Sequence, residues 1–326
     1  MMTAADIIRL TNECWVSRAL HAAVLLRVPD ALESSPISLE ALSKRVNCDP
    51  QVLEPVIKLL ARRGVFKFAN GQVGHNDASM LLRADADGTV CDFVEWMSSE
   101  EVWNALSKLP YIVANGGSGF EAYYGSRFFD YLSENPARSD LFDRHMEGHT
   151  RGEVRAILDA VDLNPYREMA DVGAGSGFLA SQIAERYPAA RLSVFDLPGC
   201  RFNAIKSHSI RKIHGNFFED DLPSADLTIL ANVLHDWPDD DAMRILRAFR
   251  RTSRVDTCLC IIEGLTDSQE EKVEMVEIGM AVMFGGRQRS LAQLQAMLAG
   301  IEYEVFETHK CTKYASAIFA RPSRPA

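Results

Sequence analysis

No apolar run in this chain approaches the length needed to cross a bilayer, so no membrane partner is expected. The start, Met1-Met-Thr-Ala-Ala-Asp6-Ile-Ile-Arg9, carries charges where a secretion signal needs an apolar core. Seven cysteines, at 14, 48, 91, 200, 258, 260 and 311, form no Cys-x-x-Cys pair, which argues against a disulfide framework. Cys258 and Cys260 point to one face of an apolar, strand-like run and read as buried reduced thiols, so the expected compartment is the cytoplasm. No His, Cys and carboxylate cluster has metal-ligand spacing, and no metal is expected. Positive charge is also short. Against 45 Asp and Glu stand 35 Lys and Arg, a net charge of −10, which argues against a nucleic-acid partner. What remains is ordinary for a soluble globular enzyme: 326 residues, 47% hydrophobic and 25% charged, long enough for two domains.

The chain is organised around Met169-Ala-Asp-Val-Gly-Ala-Gly-Ser-Gly-Phe178. An apolar run enters a loop with glycine at 173, 175 and 177, and Leu179, Ile183 and Ala184 continue at helical spacing. This reads as strand, glycine-rich turn and helix, the opening unit of a nucleotide-type fold. A dinucleotide fingerprint would need its third glycine at 178, where Phe178 stands. A second acid, Asp196, ends the next apolar run, Leu192-Ser-Val-Phe-Asp196. A carboxylate there suits the two hydroxyls of a ribose. The pattern fits S-adenosylmethionine better than NAD.

Three regions are expected. Residues 1–90 read as helical and end in a winged helix. Ser38 caps a short helix, Asp49-Pro50 opens a second that stops at Gly64, and Asn70-Gly71 turns a hairpin over 65–73. Lys58, Arg62, Arg63 and Lys67 face Glu33, Glu40, Asp49, Glu54 and Asp77, so no basic stripe is left to hold phosphates. A module that builds a homodimer is the better reading. Residues 91–165 are a helical, aromatic-rich linker that could roof a pocket; Gly116-Gly-Ser-Gly119 reads as a flexible joint, and one helix runs from Glu134-Asn-Pro136 to Leu158. Residues 166–326 alternate strand and helix over 169–172, 178–187, 191–195, 200–206, 211–214, 226–231, 238–252 and 257–263. Helices over about 271–283 and 290–298 follow, then a hairpin over 303–309 and 314–319. The predicted class is α/β: a doubly wound, mostly parallel seven-stranded sheet with an antiparallel C-terminal hairpin. Ligands in such sheets bind at the carboxyl ends of the strands.

Two further segments lie at those ends: His214-Gly-Asn-Phe-Phe218 and Asn232-Val-Leu-His-Asp-Trp-Pro238. With Asp171-Val-Gly-Ala-Gly-Ser-Gly177, Phe195-Asp-Leu-Pro198, Phe120-Glu-Ala-Tyr-Tyr-Gly125, Tyr131-Leu-Ser-Glu-Asn-Pro136 and Gly285-Gly-Arg-Gln-Arg289, the chain resembles the adenosylmethionine-dependent O-methyltransferases of the caffeate and hydroxyindole type. Bacterial relatives in that family act on secondary metabolites such as phenazines and aromatic polyketides. The resemblance spans nearly the whole chain and implies a dimer formed through the winged helix. It also implies roles. Gly173 and Gly175 belong to the loop that holds the methionine part of the cofactor, and Asp196 holds the ribose. Phe217 packs on adenine, Asn216 meets its amino group, Trp237 flanks the ring, and Thr150 reaches the carboxylate. His235 is the catalytic base and Glu263 the acid that orients it. Phe142, Met146, Asn232, Ile278 and Met283 line the pocket for a small aromatic acceptor.

Elementary chemistry agrees with those roles. A phenol, with a pKa near 10, is mostly protonated at neutral pH, and a histidine is a suitable general base for its proton. Three positions depart from the family pattern: Gln288 replaces a glutamate, Asn216 an aspartate and Asn232 a tryptophan. Two other readings stand beside O-methylation. One is a repurposed enzyme that binds adenosylmethionine but catalyses hydroxylation, decarboxylation or a pericyclic step. The other is a ligand-sensing winged-helix regulator.

Overall fold

The computed structural model describes residues 2–323, and the chain forms two compact units, Met1–Trp103 and Asn104–Ala326. The first includes more than the expected 1–90, because the helix Cys91–Met97 packs Cys91 and Val94 against Val24 and Leu82. The remainder of the expected linker belongs with the sheet.

In the first unit, Thr3 opens the helix Ala4–Leu25 with a capping box: its hydroxyl accepts from the Asp6 N–H and the Asp6 carboxylate accepts from the Thr3 N–H. That helix buries only Ala19, His21, Ala23 and Val24. Ile7, Ile8, Leu10 and Trp15 on its first four turns are exposed. Ser38 caps Leu39–Arg45, and Asp49 caps Pro50–Arg62 with Pro50 in the first turn, where a missing N–H costs nothing. Strands β1 (Ile37–Ser38), β2 (Lys67–Ala69) and β3 (Gln72–Gly74) form a small antiparallel sheet in the order β1-β3-β2. Asn70 and Gly71 both have positive φ, as a two-residue hairpin turn demands. The sequence showed the hairpin but not β1.

The second unit is built on seven strands: β4 (Glu168–Val172), β5 (Arg191–Asp196), β6 (Arg211–His214), β7 (Leu227–Ala231), β8 (Cys258–Gly264), β9 (Tyr303–Lys310) and β10 (Ala315–Pro322). Their order is β6-β5-β4-β7-β8-β10-β9, parallel as far as β8 and antiparallel thereafter. Alternate residues feed two cores. Val194, Ile229 and Cys260 pack with Val154, Ile157 and Leu158 on one face, and Phe195, Leu230 and Ile261 pack with Ile245, Phe249 and Leu294 on the other. With both faces covered, β4 and β7 are buried along nearly their whole length rather than at alternate residues, Asp171 and Thr228 included. The chain winds outward from β4 through β5 to β6, then returns to β7 on the other side. The crevice beyond β4 and β7 is therefore the switch point where such sheets bind ligands.

Two expectations fail locally. Residues 200–206 form turns, not a helix. Phe202 has φ 49°, the Ala204 N–H donates to the Ser176 carbonyl, and the Ala204 carbonyl accepts from the Ser181 hydroxyl, so this backbone serves the glycine loop instead of itself. The segment 116–119 is not a loose joint. Ser118 caps the helix Gly119–Tyr124 and donates its hydroxyl to the carbonyls of Val282 and Met283, and a Cβ on Gly119 would fall 2.6 Å from the Ala105 carbonyl oxygen. Gly119 gives close backbone approach, whereas Gly116 and Gly117 turn the chain at positive φ in open space. No helix among the described residues is long and apolar enough to cross a membrane.

Candidate active site

The loop after β4 is shaped by its glycines, with φ of 74°, 54° and 79° at 173, 175 and 177, a region that side chains rarely occupy. A Cβ on Gly173 would press on Val233, 2.6 Å away, and one on Gly177 on Ile205, 2.5 Å away. Gly175 differs: a Cβ there would meet nothing within 4 Å, because this face opens on a cavity. The Gly175 N–H donates to Asp196 Oδ2 at 2.7 Å, and Asp196 Oδ1 accepts from the Leu197 N–H at 2.7 Å. Asp196, at the tip of β5, thus fastens the loop and faces the cavity.

That cavity is about 520 Å³, and residues of the second unit line it. At one end lie the carboxylates of Asp171, Asp196 and Asp143. Burial and the charge of Asp196 push Asp171 up to about 7, and burial with the charges of Asp196 and Asp140 pushes Asp143 up to about 7. Asp171 Oδ2 is buried with no hydrogen-bond partner. Three crowded, under-compensated carboxylates favour a cation bearing several donors. Adenosylmethionine carries a sulfonium, an ammonium and two ribose hydroxyls, so the donor set fits it.

Phe217 and Trp237 meet edge to face at 5.6 Å and line the cavity. Asn216 also lines it, with Oδ1 accepting from the Phe218 N–H at 3.0 Å; its second lone pair remains for a ligand. Thr150 reaches the wall from the helix Pro136–Ala160, where its hydroxyl donates to the Met146 carbonyl at 3.0 Å. Phe142, Met146, Asn232 and Met283 complete an apolar end, roofed by Phe128, Phe129 and Phe284 at ring distances of 4.9–5.6 Å. Ile278 does not join them. It lies on the helix Glu271–Phe284 with 46% of its surface exposed, outside the lining of this cavity.

The third wall is the turn after β7. Asn232 has φ 54° and donates its N–H to the Ile262 carbonyl, and a single 3-10 turn, Leu234–Asp236, follows. Three distant residues clamp it. Glu263, fully buried at the end of β8, accepts from the His235 N–H at 3.0 Å. Arg289, also fully buried, donates to the carbonyls of Leu234 at 2.7 Å and Trp237 at 2.8 Å, and to Asp239 Oδ1 at 2.9 Å. Gly286 lies so close that a Cβ would land on the carbonyl groups of His235 and Asp236. Glu263 therefore holds the main chain of His235 and not its ring. The ring contacts Gln288, whose Nε2 donates to Tyr314 Oη at 2.7 Å and lies 3.1 Å from His235 Nδ1. His235 Nε2 lies 3.5 Å from Asp236 Oδ1. Asp236 lines the cavity; His235 and Glu263 stand behind it. Burial pushes His235 down to about 3 and Glu263 up to about 7, so the ring is neutral.

Sequence reasoning did not single out Asp143, Asp236 or the clamp made by Arg289. For the first there was a signal: Asp143, Met146 and Thr150 recur at helical spacing on one face.

A glycine loop fastened by an acid at the tip of β5, beside an aromatic-roofed cavity at the switch point, is the arrangement of a methyltransferase-type site. A family model for an O-methyltransferase domain matches residues 106–304, and one for an O-methyltransferase dimerisation domain matches residues 8–85. The chain belongs to this family and is an adenosylmethionine-dependent methyltransferase. It is similar to the mitomycin biosynthesis 6-O-methyltransferase of Streptomyces lavendulae, with 29% identity over 87% of this chain and 84% of that protein. Among solved structures, LaPhzM superposes with a TM-score of 0.93 at 26% identity, covering 99% of this chain and 100% of that one. The O-methyltransferase NcsB1 from neocarzinostatin biosynthesis, solved with adenosylmethionine and 2-hydroxy-5-methyl naphthoic acid, gives a TM-score of 0.82 at 25% identity, covering 93% and 95%.

Proposed function

We propose that this enzyme methylates a phenolic hydroxyl of a small aromatic or polyketide-type metabolite, as a homodimer joined through the dimerisation domain. The observation that carries this reading is the single cavity whose carboxylate end suits a cation and whose aromatic end suits a flat apolar ring. Gly173, Gly175, Asp196, Asn216, Phe217, Trp237 and Thr150 would hold the cofactor; Phe142, Met146, Asn232 and Met283 would hold the acceptor. Residues 1–90 would supply the dimer, 91–165 the pocket roof and 166–326 the catalytic sheet. The exposed row Ile7, Ile8, Leu10 and Trp15 supports the dimer, because such a face needs a partner.

Bound adenosylmethionine supplies a methyl group on a cationic sulfur, which becomes a neutral thioether once the methyl has gone to oxygen. The protein's tasks are to align the hydroxyl, exclude water and receive one proton. The proton leaves at the turn 232–237, through the pair His235 and Asp236. His235 is the base implied by the family resemblance, and its ring meets the cavity across Asp236. Acceptors with acidic hydroxyls, such as phenols conjugated to a carbonyl, suit a site where Gln288 offers His235 a dipole and no charge. The hydroxynaphthoic acid bound by NcsB1 is of that kind.

The test is label transfer from methyl-labelled adenosylmethionine to a panel of hydroxynaphthoates, phenazinols and hydroxyquinones, with mass spectrometry for a gained CH₂. His235→Ala should lower kcat by about 10²–10⁴-fold and leave cofactor binding intact. Tight cofactor binding with no transfer to any acceptor would instead support a non-methylating reaction on the same fold.

A further inference from the structure

We propose that Asp143, on the helix Pro136–Ala160, is a cofactor-binding residue whose charge sets the preference for adenosylmethionine over the neutral thioether left after methyl transfer. The inference rests on the cofactor end of the site described above and not on the identity of the acceptor. It begins from the geometry of that helix. Phe142, Asp143, Met146, His149 and Thr150 all line the cavity. At about 100° per residue they divide into two rows. Phe142, Met146 and His149 fall within about 60° of one another, while Asp143 and Thr150 fall within about 20° on the neighbouring strip. Phe142 meets Phe128 edge to face at 5.1 Å, so the first row serves the aromatic end. The second row serves the carboxylate end, where Asp143 feels the charge of Asp196. A cofactor whose ribose meets Asp196 and whose carboxylate reaches Thr150 has its sulfonium between those groups, because sulfur joins the adenosyl and methionine parts.

The surroundings of Asp143 do not explain it as a structural residue. Asp140 and Arg144 share its helix, Asp196 faces it from β5, and Cys200 and Arg201 face it from the turns after β5. The Arg201 guanidinium is engaged by Asp140 at 2.9 Å. Burial first, then the charges of Asp196 and Asp140, push Asp143 up to about 7. Asp171, from β4, lines the same cavity, is 2% exposed and keeps Oδ2 without a partner. Three carboxylates from three different elements, crowded at a cost in stability, are placed for a cation and not for the fold.

Adenosylmethionine and its product differ by one methyl group and one positive charge. Both offer the same ribose, adenine and carboxylate, so Asp196, Asn216 and Thr150 have no means of telling them apart. A carboxylate near the sulfur does. Its attraction for the sulfonium is several-fold stronger in a cavity of lower dielectric than in water. When the methyl group leaves, the electron pair of the S–CH₃ bond stays on sulfur, and the charge and the attraction vanish together. Asp143 thus holds the fresh cofactor and lets the spent one go.

The experiment is calorimetry on the full-length protein at pH 8, above the value to which Asp143 is raised, with S-adenosylmethionine and S-adenosylhomocysteine as the two titrants. Asp143→Asn keeps the shape of the side chain and removes its charge. It should weaken adenosylmethionine about tenfold or more while moving adenosylhomocysteine less than about threefold. Asp140→Asn is the control: it removes a carboxylate one turn away that does not line the cavity, and should change the ratio of the two affinities less than about twofold. Thermal melts of unliganded Asp143→Asn at pH 8 should lie at or above those of the unaltered protein, since a crowded carboxylate is relieved. Equal losses for the two titrants, or no loss for either, overturn the proposal. So does a ratio that moves as far in Asp140→Asn, or a melt of Asp143→Asn that falls by several degrees. Failure of label transfer to every acceptor of the panel would count against the methylation reading alone and leave the affinity ratio standing.

Discussion

The loops after β4 and β7 leave neighbouring parallel strands at the same edge of the sheet, yet they are built in opposite ways. The first, 173–177, works by omission. Its glycines leave room for Val233, for Ile205 and for whatever enters the cavity, and one carboxylate, Asp196, fastens it. The second, 232–237, works by enclosure. Glu263, Gly286 and Arg289 grip its main chain from behind, so that its side chains face forward in fixed places. A ligand-holding loop needs bare backbone N–H groups near a binding space. A proton-handling turn needs side chains held to a fraction of an ångström, which only a surrounding shell provides.

The comparison is sharpest where one change should damage one loop and spare the other. Arg289→Ala removes a buried cation that serves two buried carbonyls and sits near Glu263. The expected cost is about 3–5 kcal/mol in denaturant unfolding, the largest effect here. Full stability in that variant would show that the second loop holds itself. Asp196→Ala should weaken adenosylmethionine binding by about 1.5–3 kcal/mol in calorimetry, because a charged hydrogen-bond acceptor is lost and the Gly175 N–H is released. Affinity equal to that of the unaltered protein would refute the ribose assignment.

Two alanines compare the glycines directly. Gly286→Ala drives a methyl group into the His235 and Asp236 carbonyls, so it should cost about 1–3 kcal/mol of stability. Gly175→Ala meets open space and pays only for its positive φ, about 1–2 kcal/mol, but it should block the cofactor. The loops would not differ as described if the two variants lost stability and binding in the same proportion.

The last effect concerns pH. Burial and Asp196 raise Asp171 to about 7 in the folded state, above its unfolded value, so the folded protein binds more protons between about pH 4 and 7. The contribution of Asp171 is thus favourable below pH 4 and is lost as pH rises through 7. Asp171→Asn lacks this titration. Relative to the unaltered protein it should gain about 3–4 kcal/mol on going from pH 4 to pH 8, about three pKa units at about 1.4 kcal/mol each with the limbs only partly crossed. Thermal melts at the two pH values measure it, and a constant difference between the proteins would rule it out.

The same contrast explains what the sequence made legible. The glycine loop is a local pattern: an apolar strand, three glycines at fixed spacing and a helix, all within ten residues. The helix caps at Ser38 and Asp49 and the Asn70-Gly71 turn are local too, and each sits where the pattern predicts. The clamp around 232–237 draws on residues 263, 286 and 289, and only the family resemblance brought those segments together before the fold did. Even so, the resemblance did not show that Glu263 grips main chain, or that Asp236 stands between His235 and the cavity. Residues 200–206 were expected to be a helix from the strand–helix alternation alone, and instead their backbone makes hydrogen bonds to Ser176 and Ser181. Ile278 was placed in the pocket by the family resemblance, and a matched position in sequence does not fix which way a side chain on the helix Glu271–Phe284 faces.

The strand order has a consequence for how the enzyme comes into being. β10 lies between β8 and β9, although it follows both in the chain. A ribosome releases residues in order, so Cys258–Gly264 waits as an open edge while some fifty further residues emerge. Only when Ala315–Pro322 arrives does that edge close, and with it comes Tyr314, the partner of Gln288. Ala315 pairs with Gly264, whose missing side chain leaves room for the tyrosine ring. The last strand to be made thus seals the sheet and completes the surroundings of His235 in one step. A nascent or clipped chain short of that strand has neither a closed edge nor a finished site.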